Sequence, residues 1–273
     1  MPGTLGPRNF GDILGDTFRI YGRNFLRLLA IVAIVEVILG VVAYFLPTPM
    51  GLEDMPQLIP QLIIVSIILL VLQIVAYPWM QGALIHAVSE QNIRRPVGIG
   101  RAYRFAWRRL GSLIVASILA ALAIGVLVAL AILVALISSL AGPVALILLL
   151  VFIPAAVYLA VRWTFFLQAA LLEHLGPVAA LSRSWDLVKG NWWRVFGIML
   201  VAIIIAAGVS FVLRMIPMLA TTPVGSILGA ILTIPIVVTA STLLYYDLRV
   251  RKEGYNLDTL AGELGIDTGS NLL

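Results

Sequence analysis

The chain is 273 residues long, 62% hydrophobic and 11% charged by residue type, with a formal net charge of +5. A soluble domain carries roughly 45–50% apolar and about 25% charged residues, so a water-soluble fold is excluded: too few charges remain to cover the apolar surface. With no cysteine, and His86 and His174 as the only histidines, disulfides, thiolate sites and a histidine-built metal centre are excluded too.

A membrane-spanning helix needs about 20 apolar residues, because the hydrocarbon core is about 30 Å thick and a helix rises about 1.5 Å per residue. In chain order, the first predicted element is a short amphipathic helix. Phe10, Ile13, Leu14, Thr17, Phe18, Tyr21 and Phe25 recur at helical spacing, and Asp12, Asp16, Arg19 and Arg23 fall off that stripe. Residues 28–46 form the first span, with Glu36 as its only charge. Residues 58–88, free of Asp, Glu, Lys and Arg, form the second, with a bend expected near Pro78. A second stripe, Ile99, Ala102, Tyr103, Ala106 and Leu110, precedes residues 110–161. That uncharged run is too long for one span, and residues 138–143 (Ser-Ser-Leu-Ala-Gly-Pro) carry a turn signal. Two helices joined by a hairpin are predicted, the second running through Arg162 to about Leu172. A third stripe, Val178, Leu181, Trp185, Val188 and Trp192, leads into the fifth span at 195–213. The sixth lies within 215–246, beginning after Thr221-Thr222-Pro223. Uninterrupted apolar runs favour helices over a β-barrel, whose strands alternate.

The stripes recur: Phe18, Tyr103 and Trp185 are 85 and 82 residues apart. At an offset of 167, Thr17, Phe18, Asn24, Phe25 and Arg27 align with Ser184, Trp185, Asn191, Trp192 and Arg194. The predicted architecture is an all-α membrane protein with six transmembrane helices as three repeated hairpins, each preceded by a cytoplasmic interfacial amphipathic helix. A single six-span domain covers residues 1–254, with repeats at about 10–90, 96–173 and 177–250, and residues 255–273 form a short cytoplasmic tail. The competing explanation is that any helix entering a membrane from the cytoplasm is aromatic and basic, and the second copy matches weakly.

Sixteen of the 18 Lys and Arg residues fall before span one, between spans two and three, between spans four and five, or after span six. The positive-inside rule puts those segments, and both termini, in the cytoplasm of a cytoplasmic (inner) membrane. The basic balance is therefore a topology signal first. Anionic lipid headgroups are the secondary reading, and nucleic acid is not expected.

Glu36 and Arg162 are each predicted about 16 Å from the cytoplasmic face, counting 11 residues at about 1.5 Å per residue. Charges at that depth usually pair or line a polar pathway. A Glu36–Arg162 pair is one reading, and separate snorkelling is the other. Gln61, Gln73, Gln81 and Gln168 read as helix-to-helix hydrogen-bond glue. His86 and His174 read as interfacial, and the tryptophans as an aromatic belt. No phosphate loop, nucleophile motif or metal motif occurs, so neither a catalytic residue, a cofactor nor a metal is expected.

Residues 161–163 (Val-Arg-Trp), Leu171-Leu172-Glu173, Gly176-Pro177 and the run 180–195 (ALSRSWDLVKGNWWRV), with Tyr245-Tyr246-Asp247-Leu248-Arg249 and the opening Gly11-Asp12-Ile13-Leu14, form a pattern. It resembles the bacterial multi-pass family named for the glycerophosphoryl diester phosphodiesterase membrane domain, and its uncharacterised relatives. The resemblance singles out Glu173, Arg183, Ser184, Trp185, Asn191, Asp247 and Arg249. It implies the membrane region alone, because the catalytic barrel fused to it in other proteins has no counterpart here. The expected role is non-enzymatic: organising lipids or partner proteins, with an unidentified protein partner or a second copy of the chain. The alternative is a transporter or permease component for a small or lipid-like substrate.

Overall fold

A computed structural model describes residues 8–44, 55–92, 98–136, 143–220 and 222–254, which form helices and no strand. The helices are α1 (Phe10–Arg23), α2 (Phe25–Tyr44), α3 (Met55–Asn92), α4 (Ile99–Trp107), α5 (Leu110–Leu136), α6 (Pro143–Arg162), α7 (Phe166–Leu172), α8 (Pro177–Val188), α9 (Trp192–Arg214), α10 (Pro217–Ala220) and α11 (Pro223–Glu253). The expected turn at 138–143 lies almost wholly outside the described residues, as do Glu53, Asp54, Arg94, Arg95 and the segment 255–273.

Six helical stretches are long and apolar enough to cross a bilayer: Phe25–Ala43, Ile59–Asn92, Leu110–Ala135, Leu148–Leu172, Trp192–Arg214 and Val224–Glu253. They coincide with the six spans read from hydropathy, with ends shifted by a few residues. Helices are the economical solution here because each closes its own backbone hydrogen bonds, which lipid cannot do. Pro60 and Pro78 lie inside α3, Pro154 inside α6 and Pro235 inside α11.

The described residues gather into two compact units, one of residues 8–110 and 198–243, the other of 111–197 and 244 onward. In the first, α4 packs on α3 and α2, and α1 packs on α2. The Tyr103 hydroxyl donates to the Ile31 carbonyl, and Trp79 Nε1 donates to the Tyr103 carbonyl at 3.0 Å. These bonds matter because lipid is as apolar as leucine, so association rests on close packing and polar contacts. Gly40 supplies such packing: a Cβ there would run into the Ile227 side chain. From the expected stripes, Ile13 and Thr17 of α1 and Ala102, Tyr103 and Ala106 of α4 are buried, while Phe10 and Phe18 stay exposed. From Ile59 to Val75, α3 is exposed on nearly every side, Gln61 and Gln73 included. Neither glutamine bonds another residue among those described, so the helix glue expected of them is not seen there.

In the second unit, α8 packs on α6 and α7. The span from Leu148 to Leu172 is not one straight helix: α6 stops at Arg162, residues 163–165 form a turn, and α7 resumes at Phe166. A break strands backbone groups, which must find partners inside the protein. Ser184 of α8 fills the gap. Its hydroxyl accepts from the Phe165 N–H at 3.0 Å and donates to the Arg162 carbonyl at 2.9 Å. Pro177 opens α8 at a position with no hydrogen bond to lose, and Gly190, at φ 83°, ends the turn after it.

Candidate functional site

Charged side chains in the second unit collect where α7 ends, along α8, and on the last two turns of α11. Glu173 is the residue after α7. Arg183 Nε donates to both its carboxylate oxygens, at 3.0 and 2.7 Å, and the Tyr245 hydroxyl donates to Oε1. Arg183 also pairs with Glu253, and Arg249 lies 3.2 Å from Glu253 and 3.8 Å from Glu173. Tyr245, Arg249 and Glu253 recur every four residues, so one face of α11 carries all three. Partial burial alone would lower the Arg183 guanidinium, but Glu173 and Glu253 outweigh it and its affinity for the proton is raised.

A second group lies one helical step away. The Asp247 side chain is fully buried and accepts from Arg194 at 2.8 Å and from Arg251 at 3.0 Å. Two guanidinium groups on one carboxylate leave an excess positive charge. Salt bridging of Asp247 by basic neighbours is thus present. Lys252 donates to the backbone carbonyls of Asp186 and Lys189, at 2.7 and 2.6 Å, closing the C-terminal end of α8.

Arg162 is held differently. Its Nε and Nη2 donate to the Tyr158 hydroxyl at 2.9 and 2.6 Å, and Nη1 donates to the Trp185 carbonyl at 3.3 Å. The guanidinium lies 5.0 Å from the Tyr158 ring centre and 4.6 Å from that of Trp185. Trp192 stacks on Tyr158 with ring centres 5.9 Å apart. No described carboxylate pairs with Arg162 inside its unit.

In the first unit, Glu36 is buried and accepts from the Tyr77 hydroxyl at 3.0 Å. Glu36 and Arg162 thus belong to different units, each with its own aromatic hydroxyl partner. His86 is buried, its ring 4.3 Å from that of Phe105. Glu90 pairs with Arg101 at 3.4 Å. Arg23, Arg27, Arg104 and Arg108 are exposed and have no partner among the described residues.

Of the positions singled out in the sequence, Glu173, Arg183 and Arg249 meet in one network, Asp247 anchors the second, and Ser184 and Trp185 bracket Arg162. Asn191 precedes α9, its carbonyl accepting from the Val195 N–H. Sequence reasoning gave no role to Tyr77, Tyr158 or Glu253 and no partner to Arg194 or Tyr245, which it carried only as repeat and family positions. The i, i+4 spacings of Tyr158 with Arg162, Asp247 with Arg251 and Arg249 with Glu253 were available signals.

Comparison with known families adds one result. Residues 136–246 match the family described as the membrane domain of glycerophosphoryl diester phosphodiesterase. The match takes in α6 to α8, all of α9 and most of α11, and so contains Arg162, Glu173, Arg183, Ser184, Trp185 and Asn191; Asp247 and Arg249 lie just beyond it. The matching segment and the six apolar helices make this a multi-pass integral membrane protein. No curated protein and no solved structure matches the chain.

Proposed function

We propose that this membrane domain is non-enzymatic and organises acidic lipids at the cytoplasmic face of the inner membrane, with both termini on that face. The supporting observation is the division of labour among its cations. In the second unit the arginines of α8, α9 and α11 are consumed by Glu173, Asp247 and Glu253, so those carboxylates are committed to holding helices together rather than to chemistry. In the first unit Arg23, Arg27, Arg104 and Arg108 are exposed without a partner among the described residues. Exposed Phe18, Phe25, Leu26 and Trp107 lie beside them in the chain. Arginine beside exposed aromatic and aliphatic side chains suits the headgroup layer, where apolar parts enter the acyl boundary and guanidinium groups meet phosphates. On this reading α1, α4 and α8 are the interfacial helices of three repeated hairpins.

The test is the lipid retained by the whole protein when it is extracted into polymer-bounded nanodiscs. Acidic phospholipid should be enriched over the bulk membrane for the wild type, and the enrichment should fall when Arg23, Arg27, Arg104 and Arg108 are all replaced by Gln. Equal composition in disc and bulk for the wild type refutes the proposal. A transport reading draws on a separate observation: among the described residues, buried Glu36, within a span, has a tyrosine hydroxyl as its one hydrogen-bond partner, and such acids often serve ion pathways. Proton flux into proteoliposomes that Glu36→Gln abolishes would favour it.

A further inference from the structure

We propose that Arg162, Tyr158 and Lys252, gathered at the C-terminal end of α8, seat the phosphate of one acidic phospholipid. The inference rests on the lipid-organising reading and adds to it a defined site in the second unit.

The first observation is a surplus of hydrogen-bond donors. A guanidinium carries five N–H groups. Arg162 makes three bonds with them, two to the Tyr158 hydroxyl and one to the Trp185 carbonyl. The remaining N–H groups have no acceptor among the described residues. The Tyr158 hydroxyl accepts twice from Arg162, and its own proton likewise has no acceptor among the described residues. An ammonium carries three N–H groups, and Lys252 uses two of them, on the carbonyls of Asp186 and Lys189. What is left over is all donor. A site of donors calls for an acceptor with several oxygens and a negative charge, and phosphate is that group.

The second is charge. Arg162 and Lys252 bond the carbonyls of the consecutive residues Trp185 and Asp186, so both cations reach one helix end. The charge of Arg162 is felt at Lys252. So are those of Arg183 and Glu253, which pair with each other, and that of Asp186, which forms no ion pair among the described residues. Two cations therefore stand against one carboxylate, and positive charge is in excess.

The third is position. α6 stops at Arg162, and Trp192 Nε1 donates to the Tyr158 carbonyl at 3.4 Å, so the end of α6 lies level with the first turn of α9. The apolar stretch of α9 begins at that same Trp192. On this reading Arg162 sits at the headgroup end of its span, shallower than the depth counted along the sequence. Trp193, edge-on to Trp192, is 78% exposed, and indole rings at a span end sit at headgroup level. A phospholipid meets both the donors and this indole, whereas a free phosphate meets the donors alone.

Native mass spectrometry of the full chain in detergent, titrated with dioleoyl phosphatidylglycerol or dioleoyl phosphatidylcholine, tests this. One phosphatidylglycerol should bind well above the rest. Arg162→Gln should weaken it about tenfold, the equivalent of one hydrogen bond to a charged group, and Arg162→Lys should weaken it less. Lys252→Gln, at an exposed position, should also weaken it and keeps the test usable if Arg162→Gln does not fold. Glutamine can still donate to the same carbonyls, so a role confined to capping α8 would leave lipid binding unchanged in both. That result, with the wild type still preferring phosphatidylglycerol, overturns this site and leaves the broader reading standing. Displacement of the bound lipid by inorganic phosphate would assign the donors to a soluble anion and overturn the lipid seat. No acidic-lipid preference in the wild type overturns both readings.

Discussion

Replacing Glu173 by Gln tests how the second unit is held together. Glutamine keeps the shape and can still accept from Tyr245, but it removes the negative charge facing Arg183 at 2.7 Å and Arg249 at 3.8 Å. Breaking a buried pair costs about 3–5 kcal/mol, whereas exposed pairs contribute about 0–1 kcal/mol. The Glu173 and Arg183 side chains are 15% and 25% exposed, and Glu253 still serves Arg183. The expected loss is therefore intermediate, about 2 kcal/mol, the usual value for hydrogen bonds to charged groups. Reversible unfolding in mixed micelles, followed by tryptophan fluorescence, measures it. Adding Arg183→Met completes a double-mutant cycle, in which the coupling should be at least about 1 kcal/mol. Asp16→Asn is the internal contrast: its near partner Arg19 is 61% exposed and its other partner, Arg8, lies at 3.5 Å, so it should cost no more than about 1 kcal/mol. If Glu173→Gln costs no more than Asp16→Asn, the network is decoration and the reasoning fails.

Further tests follow from single features. Ser184→Ala strands the Phe165 N–H and the Arg162 carbonyl at the helix break and should cost about 1–3 kcal/mol; a wild-type melting temperature would mean the break has other support. Tyr103, outside the spans, is pushed up to about 12 by burial, so the folded protein holds the phenol proton more tightly than the unfolded chain, whose tyrosines titrate near 10. The stability gap between wild type and Tyr103→Phe should be constant below about pH 10 and shrink as pH rises towards 12; a gap flat across that window contradicts the assignment. Since the chain has no cysteine, single substitutions report topology directly. Arg108→Cys should react with impermeant maleimide only from the cytoplasmic side and Arg214→Cys only from the other; the reverse pattern inverts the proposed orientation.

What the sequence made legible was whatever depends on composition over a long window. Each of the six spans is a run of about 20 or more apolar residues, and no tertiary contact is needed to see it. The cytoplasmic side proposed for Arg104 and Arg108 rests on the same kind of window, a count of Lys and Arg between spans. Partnerships were not. Hydropathy carries the fourth span unbroken to Leu172 and so hides the break after Arg162. The break at 163–165 depends on Ser184, about 20 residues further on, and no local pattern announces it. Glu36 finds Tyr77, a residue that reads as an ordinary aromatic within an apolar run. Arg251 stands one helical turn after Asp247, a spacing visible in the sequence, but Arg194 reaches Asp247 only through the fold.

The central claim is that this membrane domain selects acidic lipid through cations that no carboxylate among the described residues neutralises. Spin-labelled phosphatidylglycerol and phosphatidylcholine, each added to the protein reconstituted in neutral membranes, give the relative association of the two lipids in one spectrum apiece. The account predicts a clear preference for phosphatidylglycerol that salt weakens, and that falls when Arg23, Arg27, Arg104 and Arg108 become Gln. Equal association of the two lipids with the wild-type protein at low salt would contradict it.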